Sequence, residues 1–163
     1  MSPRWLGTAL AVVVLLGLSS TAGATPAAIE GVHGAATQTL PNWRLAVNVN
    51  RGPSDALAGT IQFFAFETEL FEWSRIEAQP VALEVSGDTA CVVGEVTSFS
   101  IRGGDLGYTP ELLVVAIRDV EGGPDLFSVL VIPTDFVGDR DFCSFIEPLI
   151  PVEAGEFTII GNM

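Results

Sequence analysis

Pro80-Val-Ala-Leu-Glu-Val-Ser-Gly-Asp-Thr-Ala-Cys-Val-Val-Gly-Glu-Val-Thr97 decides the fold class of this chain. Two β-branched, alternating runs flank Ser86-Gly87-Asp88, a short polar loop built on the one residue type that takes positive φ without steric cost. By the two-residue period of a strand, Val81, Leu83 and Val85 share one face and Ala82 and Glu84 the other. After the turn, Ala90, Val92 and Val96 share a face, with Cys91, Glu95 and Thr97 opposite. The stretch predicts an antiparallel hairpin with one buried side.

Outward from the hairpin the same grammar repeats. Trp43-Arg-Leu-Ala-Val-Asn-Val49 puts Trp43, Leu45, Val47 and Val49 on one face of a half-buried strand. Asn50 to Asp55 has turn chemistry. Thr60 to Phe66 carries aromatics on both faces and predicts a central strand. Leu70 to Ile76 fits a strand or a short helical turn, with Phe71 and Trp73 favouring the strand. Phe99 to Ile101 is a further short strand. Glu111 to Arg118 is apolar at every position between its charged ends, as expected of a strand covered on both sides, and returns through the turn Asp119–Asp125 into Leu126–Ile132. Glu156 to Ile160 is the last strand. Eight or nine short strands with regular turn signals predict an all-β fold, an antiparallel sandwich or barrel.

The N-terminal segment reads differently. Arg4, the apolar run Leu6–Leu18 and Ala22-Gly23-Ala24 have the layout of a signal peptide cleaved after Ala24. The apolar run is shorter than the roughly 20 residues that span a bilayer, so the expectation is a secreted, extracellular chain with no stable membrane insertion after cleavage. Residues 1–24 are then the leader, 25–41 a flexible lead-in of small residues with at most one edge strand near Gly34–Leu40, and 42–163 a single all-β domain.

Charge excludes one partner class. The chain has 20 acidic and 7 basic residues, all of the latter arginine, and the formal net charge is −13. Phosphate recognition needs a basic stripe, so nucleic acid is not an expected partner. An exported chain with two cysteines, Cys91 and Cys143, reads as one disulfide, since neither a C-x-x-C spacing nor partner histidines support thiol chemistry or a metal. The loop closed is about 52 residues, worth roughly 4 kcal/mol by loop-closure entropy. Because Cys91 lies opposite the core-facing valines, the bond is expected to pin Asp141–Phe145 across the outside of the sheet.

Taken together, Gly59-Thr-Ile-Gln-Phe63, the run Leu83–Thr97 and Val115-Ala-Ile-Arg-Asp-Val-Glu-Gly-Gly-Pro-Asp-Leu-Phe-Ser128 with a late cysteine resemble an uncharacterised family of secreted bacterial β-sandwich-like domains. Its pattern is a V-x-G-N-x-A hairpin followed by a D-x-G-x-x-x-P-D-x-F-S hairpin, and the resemblance spans about residues 59 to 145. That pattern sets its first cysteine on the strand before the hairpin, where this chain has Leu83; here the cysteine is Cys91. The resemblance implies the fold and export and brings no established activity.

Signals for catalysis are sparse. The single histidine, His33, falls in the lead-in, where an exposed loop residue is expected, and no G-x-S-x-G or H-E-x-x-H occurs. No cofactor is expected. Two acidic loops, Asp119/Glu121/Asp125 and Asp135/Asp139/Asp141, are calcium candidates, because calcium collects carboxylate and carbonyl oxygens from irregular loops. Trp43, Phe71, Trp73 and Tyr108 are candidates for a binding surface toward a glycan or an extracellular protein. The function expected is a non-enzymatic extracellular domain with a binding or structural role. A calcium-stabilised adhesion or carbohydrate-binding module is the alternative, and a carboxylate-based hydrolase a distant third.

Overall fold

The computed structural model describes residues 30–39, 42–66, 71–136, 138 and 141–161, so the leader segment lies outside the described residues. Among them are the strands β1 (Glu30–Gln38), β2 (Trp43–Arg51), β3 (Leu57–Phe66), β4 (Trp73–Ser86), β5 (Thr89–Arg102), β6 (Pro110–Arg118), β7 (Leu126–Pro133), β8 (Ile150–Pro151) and β9 (Ala154–Ile160), with one 3-10 turn at Phe142–Ser144. The all-β expectation holds.

The strands make one antiparallel sheet in the order β8-β7-β6-β5-β4-β3-β2-β1-β9. Each strand from β1 to β7 pairs with the next in sequence, and β9 returns to the far side of β1. β8 and β9 therefore sit at opposite edges, yet only Val152 and Glu153 separate them in the chain. Two residues bridge opposite edges only if the sheet curls, so the architecture is a half-barrel and not two stacked sheets. Backbone bonds mark the bridge: Val152 N donates to Asp125 O at 2.8 Å, and Glu153 N donates to Thr37 O at 3.2 Å.

The deciding hairpin is longer than its alternation suggests. Of the stretch read as Leu70–Ile76, Leu70 lies outside the described residues, and Trp73–Ile76 belongs to one strand with the run after Pro80, while Phe99–Ile101 belongs to β5. Two extra residues hide this continuity. Pro80 pairs with Gly94 and Ala82 with Val93, leaving Val81 bulged and 53% exposed. Val81 therefore does not share the core face of Leu83 and Val85, and the inward set on β4 changes from Ser74, Ile76 and Ala78 to Leu83. Thr97 is the extra residue on β5, its hydroxyl donating to Glu77 O at 3.3 Å. Proline is tolerated at a bulge because no ladder amide is required there. The β3–β4 ladder ends at Ala78, and the Arg51 guanidinium donates to Leu83 O beyond it. The turn is Gly87-Asp88, with Gly87 at φ 60.

Where the hairpin crosses the core, Gly94 is a packing requirement. A Cβ there would lie 2.7 Å from Ile61 Cδ1 and 2.8 Å from Ala78 Cβ. The Ile61 tip can swing, but the Ala78 methyl is fixed to the neighbouring strand. Gly94→Ala is expected to cost about 1–3 kcal/mol by overpacking, read as a lower urea midpoint with an unchanged slope.

The lead-in reading needs correction over residues 30–38, which form β1, hydrogen-bonded to both β2 and β9. The domain thus starts before residue 42. Small residues leave this strand with a weak pattern, and at Gly34, φ 149, the smallness has a cause: a Cβ would sit 2.2 Å from Glu156 O and 2.7 Å from Phe157 Cα. The β9 backbone itself occupies the space a side chain would need. His33 lies on this strand, its Nδ1 2.8 Å from Asn48 Oδ1.

Two apolar clusters result. Trp43, Leu45, Val47 and Val49 face the interior as expected, with Ile61, Phe63, Leu113, Val115, Ile117 and Phe127. On the outer face Cys91, Val93, Leu112, Val114, Ile132 and Phe142 form the second. β6 is apolar on both sides because it serves both clusters. Cys91 and Cys143 are bonded, Cα atoms 5.7 Å apart, so the segment around the 3-10 turn is strapped over the outside of the sheet as expected.

Candidate functional site

At the end of the half-barrel where β2 begins and β3 ends, a cavity of about 210 Å³ opens. Trp43, Phe63, Ala65, Phe71, Ser74, Ile76, Leu106, Tyr108 and Val131 line it. Three of the four aromatic candidates, Trp43, Phe71 and Tyr108, meet here. Trp43 stands edge-on to Phe63, ring centroids 5.5 Å apart, Phe71 is buried, and Tyr108 is 38% exposed at the rim. Strand alternation delivers Phe63 and Ala65 from β3 and Ser74 and Ile76 from β4 to this wall. Ser74, Tyr108 and the indole N–H of Trp43 are the only side-chain polar groups in this lining, so the wall suits a mainly apolar ligand with a hydroxyl-sized polar contact.

Trp73 lies elsewhere. With Ser74 and Ile76 pointing inward, Trp73 and Arg75 face outward, and Trp73 is registered between Phe66 on β3 and Arg102 on β5. Beside it, Phe64 and Phe66 lie nearly parallel, centroids 6.2 Å apart with a 7° interplanar angle. The Arg44 guanidinium carbon is 5.2 Å from the Phe66 centroid, and that of Arg75 is 5.3 Å from Phe64. In the sequence Phe64 and Phe66 signal only a central strand. The arginine two residues into the facing strand, Arg44, was the available clue that their outer face is a charged platform.

The opposite end is acidic. Asp119, Glu121, Asp125 and Glu156 help line a concavity of about 330 Å³ between the β6–β7 turn and β9. Asp125 is only 8% exposed, and both its oxygens accept backbone amides: Oδ1 from Val120 N at 3.0 Å and Oδ2 from Phe157 N at 2.6 Å. Asp135 and Asp141 are exposed, away from this turn, and Asp139 lies outside the described residues. Among the described residues, the acidic candidates form no group of three positioned to hold a metal ion. No described helix is long and apolar enough to cross a membrane.

Comparison with protein-family models, with curated proteins and with solved structures finds no match for this chain.

Proposed function

We propose that this chain is a secreted, non-enzymatic binding domain that receives a small apolar molecule at the mouth of its half-barrel. The leader-like N-terminus and the disulfide support export, since such bonds persist in oxidising compartments. The observation that carries the binding role is the convergence of Trp43, Phe71 and Tyr108 on one cavity. At about 210 Å³ it is smaller than a drug-sized pocket, and an apolar cavity of about 150 Å³ already takes benzene, so the ligand class is a compact apolar molecule or a short alkyl chain. The carboxylate most enclosed by the acidic concavity, Asp125, has both oxygens engaged by amides, which supports a bracing role over metal binding or hydrolysis.

A series of n-alkanols from butanol to decanol, followed by tryptophan emission, tests this. Affinity should rise with chain length and then level once the cavity is full. Ala65→Leu places its extra atoms in the cavity and should weaken binding at least tenfold while leaving the unfolding midpoint unchanged or higher. Undiminished binding by that variant would remove the mouth as the site.

A further inference from the structure

The outward face of β2 to β5 is built independently of the mouth, and its chemistry is different. Across it run two registered rows: Arg44, Phe64, Arg75 and Ser100, then Phe66, Trp73 and Arg102. Three of the chain's seven arginines thus lie on one aromatic surface in a molecule with 20 acidic residues. We propose that this face binds an acidic polysaccharide of the uronate type, its rings stacking on Trp73 and its carboxylates pairing with Arg102 and with Arg44 and Arg75, which are seated over the Phe66 and Phe64 rings.

Charge complementarity selects this occupant. An anionic polymer is repelled by most of an acidic protein and is drawn to the place where guanidinium groups collect. Guanidinium forks pair with carboxylates in bidentate geometry. Arg75 and Arg102 already pair with Glu77 and Glu72, but the Arg102 pair is 72% and 64% exposed, and exposed pairs are weak enough to exchange partners. Arg44 rests over the Phe66 ring, which preserves its capacity for an arriving carboxylate. The described residues of this face come from four neighbouring strands in register, β2 to β5, so the face is extended across the sheet and fits an extended chain of sugar rings better than a compact molecule. The half-buried, parallel Phe64 and Phe66 rings are held in place before any ligand arrives, which lowers the ordering cost of binding.

Affinity electrophoresis of the mature protein through gels containing polygalacturonate is the test, with fully methyl-esterified polygalacturonate and polyglutamate as parallel gels. Retardation by polygalacturonate alone is expected, weakening as salt rises, and at least tenfold weaker for the double variant Arg44→Gln, Arg75→Gln and for Phe64→Ala. Ala65→Leu should leave it unchanged, which separates this face from the mouth. Absence of retardation, or equal retardation by the esterified polymer, would overturn the proposal. Equal retardation by polyglutamate would replace the glycan with an acidic protein partner.

Discussion

The double variant Cys91→Ala, Cys143→Ala should lose about 4 kcal/mol of unfolding free energy, the largest effect expected of any change outside the main core. The bond spans 52 residues, and a crosslink of that length removes much of the freedom of the unfolded chain. A second consequence is specific to this fold. Val93, Leu112, Val114 and Ile132 are apolar side chains on the outside of the sheet, and the strapped segment with Phe142 is what keeps water from them. That segment contributes one 3-10 turn and no strand to the ladder before β8, so its backbone bonds give it little hold. Without the crosslink the strap should lift, and the variant should bind a hydrophobic dye before its global unfolding transition. Urea unfolding with dye binding measures both. A loss under about 1 kcal/mol with no dye binding would mean that Phe142 packing alone secures the strap.

Legibility followed the size of side chains. β6 and β7 were plain because Leu113, Val115, Ile117 and Phe127 fill the interior, and a run of large apolar residues leaves few alternatives. β1 was obscure because the β9 backbone passes too close to Gly34 for any side chain there, and Gly34, Ala35 and Ala36 carry almost no pattern. The hairpin was legible as a turn but not in length, since a bulge resets the two-residue period and Val81 then reads on the wrong face. Faces behaved likewise at the candidate sites. Trp43, Phe71, Trp73 and Tyr108 look alike in sequence, but position in sequence does not say which side of a curled sheet a residue lines, and Trp73 lies on the outer face. The acidic turn looked like a metal loop because carboxylate count is visible in sequence and amide geometry is not. The partners of Asp125, Val120 N and Phe157 N, are 5 and 32 residues away in the chain.

Asp125→Ala should accordingly act on closure of the sheet. One carboxylate links the β6–β7 turn to β9, and the same residue's carbonyl accepts Val152 N at the bridge between edges. Removing the carboxylate strands two backbone amides, one of them at a buried site. Each unmet buried group costs about 1–3 kcal/mol, so a loss of roughly 2–4 kcal/mol is expected. Asp125→Asn keeps one acceptor but turns an N–H toward the second amide, and should fall between wild type and alanine. The spatial pattern separates closure from general weakening. Hydrogen exchange should accelerate first along the β1–β9 pairing, Gly31–Thr37 against Ala154–Ile160, while amides between β5 and β6 keep their protection. Uniform acceleration over the whole sheet would mean that the half-barrel opens as one unit and that the edge-to-edge bridge has no stability of its own. A loss confined to β9 would mark Asp125 as the latch of the fold, which explains why it is the one buried carboxylate among the described residues.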